Sequence, residues 1–289
     1  MRWTPGGSRA NIEDRRGSTG GGFRMGGGRM GLGGMAILLV LSLLFGRNLF
    51  DGGGGVPADP TTTTEAGGAV APVSETPEEA ERVEFVTFVL NDAQQVWAQL
   101  LPKYGSEYRD AKLVLFRDGV QSGCGTASAA SGPFYCPLDE KAYIDLSFYE
   151  DLSRQFGANG DFAQAYVLTH EIGHHVQHVL GTDARVRQLQ ESRPRQANDL
   201  SVRLELQADC YAGVWGNSTS QRRILEAGDV EEGLNAAAAI GDDRIQRATQ
   251  GAVRPESFTH GSSAQRVAWF RRGLESGDPR SCDTFAGAI

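Results

Sequence analysis

"DFAQAYVLTHEIGHHVQHVLG", residues 161–181, reads as one helix: Leu168, Ile172, Val176 and Val179 fall on a single stripe that would face a core. Asp161 can cap its start and Gly181 ends it. The same stretch holds four of the chain's five histidines. His170 and His174 are one turn apart, about 40° around the helix, so both imidazoles can reach one point. His174 and His178 share that spacing, so spacing alone does not choose the pair. Glu171 does. A carboxylate directly after the first histidine lies beside a metal without binding it, where it can take a proton from water. The metal is therefore assigned to His170 and His174, with Glu171 as the base.

Two protein ligands hold a metal poorly, so a third is required. The extended pattern with further histidines is absent, since its positions are Gln177 and Leu180. Downstream candidates are Asp183, Glu191, Glu205, Asp209 and His260. "ELQAD", residues 205–209, is the best of them, because Glu205 and Asp209 are four apart on a predicted helix and face the same way. One can bind metal while the other accepts the free ring N–H of a ligand histidine. Leu204, Leu206, Ala208 and Cys210 make this a half-apolar face rather than a solvated acidic one.

Working outward, the chain reads as mostly helical. Thr76 and Pro77 start a helix that carries Val83, Val86, Val89, Leu90, Val96, Trp97 and Leu100 at helical spacing. Residues 111–119 and 141–149 read as strands, and "CGTASAASGPFYC" between them as a loop. Further helices are expected at 183–192, 197–216, 229–248 and 263–274. The fold class is α+β, a mainly helical domain with a small β-sheet beside the helix of residues 161–180.

The first seventy residues look different. Glycine crowds there, and periodicity is missing apart from "GLGGMAILLVLSLLFGRNLF", residues 31–50. Six arginines precede this run, which suits a transmembrane signal anchor with a cytoplasmic N-terminus. The expected organisation is a basic Gly-rich head (1–30), the anchor in the lipid bilayer (31–50), a flexible linker (51–77) and one extracytoplasmic domain (78–289). Residues 1–50 carry a charge of +5, which leaves −13 for the rest of a chain whose total is −8. So acidic a body argues against nucleic acid as a partner. Four cysteines without a CxxC pair suit two disulfides in an oxidising compartment. Cys124 and Cys136 flank a small-residue loop and are the easiest pair, leaving Cys210 with Cys282, although three connectivities are possible.

H-E-x-x-H followed by E-x-x-x-D looks like the glutamate-ligand zinc peptidases. The strings "SGPFYCP" (131–137), "THEIGHHVQ" (169–177), "LELQADCYAGVWGNS" (204–218) and "CDTF" (282–285) resemble the bacterial neutral zinc metallopeptidase family more closely still. The resemblance runs from about Glu81 to Phe285 and takes in the cysteine positions. It implies a zincin-like domain, one Zn²⁺ per chain, a polypeptide substrate, Glu205 as third ligand and Asp209 as the residue that orients His170. "FTHGSSAQRVAWF" (258–270) resembles a His…Arg segment of some membrane zinc peptidases, which makes His260 the candidate oxyanion stabiliser ahead of Tyr135 and Tyr211. By analogy with related peptidases, Gly132, Pro133, Phe134 and Tyr135 would lie along an extended substrate. His175, Gln177 and His178 receive no role.

The leading expectation is thus a membrane-anchored zinc endopeptidase. A zincin-fold binding or assembly module has no use for Glu171, and a zinc amidase acting on cell-wall peptides would differ in how open its cleft is. Oligomeric state and substrate are not written in these residues.

Overall fold

The computed structural model describes residues 1–17 and 73–289, except Phe156. The anchor expected at 31–50, and the linker as far as residue 72, lie outside the described residues. Among the described residues no helix is long and apolar enough to cross a membrane.

Strand β1 (Ile12–Asp14) comes first, then helix α1 (Pro77–Leu100) and five strands: β2 (Lys112–Phe116), β3 (Gly119–Ser122), β4 (Gly125–Ser128), β5 (Phe134–Cys136) and β6 (Lys141–Asp145). The rest is helical: α2 (Phe148–Arg154), α3 (Asp161–Val179), α4 (Thr182–Ser192), α5 (Ala197–Gln221), α6 (Asp229–Ala239), α7 (Asp242–Gln250) and α8 (Ser263–Ser276). Thr76 caps α1 by accepting from the Glu79 amide, with Pro77 in the first turn, as its residue types predict. Four strands form a sheet in the order β1-β2-β6-β5, and β3 and β4 make a separate hairpin. The first three strands of the sheet run parallel, and β5 is an antiparallel edge.

The α+β class is as expected, with α3 at its centre. Leu168, Ile172 and Val176 of the predicted stripe are buried, together with the opposite face of the helix. Two glycine contacts set the spacing around the site. A Cβ on Gly173 would meet the backbone of Ala208 at 2.9–3.0 Å, so only glycine lets α3 and α5 approach this closely. On the far side of α5, a Cβ on Gly273 would stand 1.9 Å from the Cys210 carbonyl, which gives α8 the same intimacy.

Several expectations need correcting. The first seventy residues were expected outside the fold, but residues 1–17 pack onto the domain. Ile12, Glu13 and Asp14 pair with Leu113, Val114 and Leu115, and Trp3 packs edge-on against Phe85 with centroids 5.3 Å apart. Arg16 is buried against Asp14, Glu75 and Glu79 at 2.6–3.0 Å, so an arginine read as part of a solvated basic head is neutralised inside the domain. The Met1 nitrogen lies 2.7 Å from Oδ2 of Asp161, the first residue of α3. Composition hid this because the arm docks through ion pairs and one short strand, not through an apolar period.

The single helix expected at 229–248 is two. Gly241 is extended and separates α6 from α7. The break lets Asp242 Oδ2 accept the amides of Thr259, His260 and Gly261 at 2.7–3.1 Å, which shapes the loop that carries His260. The strand read over 141–149 stops at Asp145, whose carboxylate accepts the Ser147 amide and turns the chain into α2. The expected loop between Cys124 and Cys136 contains β4 and β5.

Candidate metal centre

On α3, the His170 and His174 rings point to one place, with their Nε2 atoms 3.2 Å apart. Glu205 reaches it from α5, with Oε2 3.2 Å from His170 Nε2 and Oε1 3.5 Å from His174 Nε2. Tetrahedral zinc with bonds of about 2.0–2.1 Å holds its ligand atoms about 3.3–3.4 Å apart. The three side chains fit that donor set, and two nitrogens with a carboxylate are chemically suited to zinc. His178 instead turns its Nδ1 to Asp183 at 2.9 Å, away from the cluster. Tertiary structure therefore brings together the pair that Glu171 had selected.

Each candidate ligand histidine is held by its other ring nitrogen. His170 Nδ1 lies 2.8 Å from Asp209 Oδ1. Asp209 is fully buried, and it also accepts from Tyr166 Oη and, through both oxygens at 2.8 Å, from Arg266. A buried carboxylate with four hydrogen bonds, two of them from one guanidinium, is compensated for its lost hydration. His174 Nδ1 lies 2.8 Å from Gln177 Oε1. These contacts place hydrogen on Nδ1 of both rings and leave Nε2 for a metal.

The electrostatics follow from that packing. Burial works against charge on His170, yet Asp209 and Glu205 outweigh it and lift the metal-free ring to about 10. Burial raises the Glu171 carboxyl. Glu205 is driven the other way despite burial, chiefly by the charges of His174 and His260.

Glu171 and the three candidate ligands line a cleft of about 310 Å³. His260 lines it too, with Nδ1 3.2 Å from Asp242 Oδ1, which leaves Nε2 for the cleft. Gly132, Pro133, Phe134 and Tyr135 form another stretch of wall, and β5 is the edge strand there. Tyr211, one of the two weaker alternatives to His260, is buried with its ring edge-on to Trp97 and is not part of the cleft wall. Both expected disulfides are formed, Cys124–Cys136 and Cys210–Cys282. The first ties β5 to the β3–β4 hairpin.

The chain matches the family described as "Putative neutral zinc metallopeptidase" over residues 1–285. It belongs to that family. The match includes the docked arm. The Escherichia coli K12 relative, "Uncharacterized protein YpfJ", is 47% identical over 296 residues, spanning all of both chains. "Uncharacterized protein Rv2575" of Mycobacterium tuberculosis H37Rv is 46% identical over 209 residues, 68% of this chain and 69% of its own. No solved structure matches.

Sequence reading missed three parts of this constellation of supports. Tyr166, four residues before His170, braces Asp209. Gln177, three residues after His174, holds that ring; its place on the buried side of α3 was the available signal. His175 joins Tyr135 Oη at 2.9 Å to the Arg109 carbonyl at 2.6 Å, so it positions β5 beside α3.

Proposed function

We propose that this protein is a zinc-dependent endopeptidase. The observation that carries the reading is the convergence of His170 Nε2, His174 Nε2 and Glu205 at ligand spacing, with Glu171 beside them in an open cleft. Bound zinc would supply a Lewis acid that polarises the scissile carbonyl and makes water acidic enough to give up a proton near neutrality. Glu171 takes that proton and returns it to the leaving amine. Burial lowers the His260 ring, but Glu205 and Asp242 outweigh it and favour the imidazolium. That imidazolium can donate from Nε2 to the oxyanion while Nδ1 keeps its contact with Asp242. The free edge of β5 pairs with an extended substrate backbone, with Gly132, Pro133, Phe134 and Tyr135 alongside it.

The test uses the full-length chain with its disulfides formed. Bound metal is measured in wild type, Glu171→Gln and Glu205→Ala, and each is incubated with unfolded casein. Glu171→Gln should keep zinc and lose cleavage by roughly 10²–10⁴, while Glu205→Ala should lose zinc. A metal-loaded wild type that cleaves neither casein nor a peptide library would leave a zincin-fold binding module.

The location proposed from sequence is a membrane anchor at residues 31–50 with the domain outside the cytoplasm, and the two disulfides support an oxidising compartment. In that arrangement one crossing puts residues 1–17 in the cytoplasm. The docked arm favours a second placement, with residues 1–17 and the domain on the same side of the bilayer. Labelling of single cysteines at Ser8 and Ser276 in intact cells by an impermeant reagent separates the two. Equal labelling supports the shared side, and labelling of position 276 alone supports the single crossing.

A further inference from the structure

Each imidazole can ligate through Nε2 only while Nδ1 keeps its hydrogen, so the acceptor at Nδ1 matters as much as the ligand itself. For His170 that acceptor is a carboxylate, which cannot be turned the wrong way round. For His174 it is the amide of Gln177, which can. An amide rotated by half a turn would offer NH₂ to an N–H and would release the ring.

The surroundings of Gln177 forbid the rotation. Its Nε2 donates to the Leu204 carbonyl at 2.6 Å and to Gln207 Oε1 at 3.1 Å. Gln207 in turn donates through Nε2 to the Cys282 carbonyl at 3.0 Å. Both glutamines are buried. The polarity of the chain therefore starts from main-chain carbonyls, which have no donor to offer. The Cys282 carbonyl fixes Gln207, and Gln207 with the Leu204 carbonyl fixes Gln177. Gln177 Oε1 then faces His174 Nδ1 at 2.8 Å. Cys282 is itself bonded to Cys210 on α5, one residue from Asp209, so the bridge lies beside the support of the other histidine as well.

We propose that Gln177 and Gln207 are positioning residues that hold His174 in its zinc-binding tautomer, with their direction set by the carbonyl of Cys282. The inference rests on the zinc reading above and extends it to side chains that touch no metal or substrate. Supports of this kind contribute about 10–100-fold to metal affinity. Gln177→Leu keeps the bulk and removes the acceptor. Gln207→Leu touches neither the histidine nor the metal, and acts only by loosening Gln177.

The experiment measures zinc affinity of the full-length, oxidised chain by competition with a chromophoric chelator. It compares wild type, Gln177→Leu, Gln207→Leu and the double variant, and follows ¹⁵N shifts of the histidine rings. Gln177→Leu should weaken zinc about 10–100-fold and mix the tautomers of the neutral His174 ring, read in the metal-free chain at a pH where that ring is deprotonated. Gln207→Leu should weaken zinc less, and the double variant should be no worse than Gln177→Leu alone. Zinc affinity within threefold of wild type in Gln177→Leu, with the Nδ1–H tautomer retained, would overturn the proposal. So would a Gln207→Leu effect that adds in full to that of Gln177→Leu. If Gln177→Leu does not fold, unchanged zinc affinity in Gln207→Leu overturns it and weakened affinity supports it. A wild type that binds no zinc would instead bring down the metal reading, and this inference with it.

Discussion

Arg266 on α8 grips Asp209 on α5 through two hydrogen bonds of 2.8 Å, and both side chains are almost wholly excluded from water. The pair sits directly behind His170, which shares Asp209 Oδ1. Three helices that are distant in sequence thus meet on one carboxylate, and its charge is balanced before any metal arrives.

Breaking that pair from one side should be expensive. Arg266→Met leaves Asp209 buried without its guanidinium and should cost about 3–5 kcal/mol. Denaturant unfolding of the metal-free chain reads this directly. A loss below about 1 kcal/mol would mean that water or another group takes over the carboxylate, contrary to the geometry.

In the proposed reaction His260 acts in the transition state alone. His260→Ala should lower kcat by about 10²–10³ with little change in KM, and zinc content should stay at the wild-type level. An unchanged kcat would remove His260 from the reaction. A fall in zinc content would make its role one of metal retention.

The two bridges should differ in worth. Cys124–Cys136 closes a separation of 12 residues and Cys210–Cys282 one of 72. Chain-entropy reasoning gives about 3 kcal/mol for the first and about 4.5 kcal/mol for the second. Paired Cys→Ser variants compared by thermal unfolding test the order. The reverse order would show that residual structure in the unfolded chain outweighs loop length.

The arm should undock in acid. Burial raises the Glu13 carboxyl, but hydrogen bonds from Lys141 and Arg15 outweigh it and hold the group at about 2, below its ordinary 4.5. Asp14 and Glu79 are also lowered despite burial, by Arg16 and by Arg117 with Arg16. A depressed carboxyl contributes its stability above the unfolded value and loses it as pH falls through the folded one. Docking should therefore be complete above pH 4.5 and weaken progressively towards pH 2. Trp3 emission in the metal-free chain, taken as the difference from Trp3→Phe, reports it. No change over that window while the domain stays folded would show that Trp3 and β1 hold the arm without the ion pairs.

By itself the sequence determined the elements whose cause is local. The 3.6-residue period of 161–180, the Thr76–Pro77 cap and the spacing of His170, Glu171 and His174 are properties of one short segment, and all three appear as read. Glu205 and Asp209 were legible as a pair, because four residues on one helix share a face. Tertiary structure decided what lies across the chain. Which nitrogen each histidine turns inward, why Gln177 matters and how Arg266 is used depend on α3, α5 and α8 touching at Gly173 and Gly273. No period records such contacts. The same holds for the arm, where a three-residue strand and buried ion pairs join segments about sixty to a hundred positions apart. It holds too for the break at Gly241, whose purpose is visible only once Asp242 meets the loop of His260.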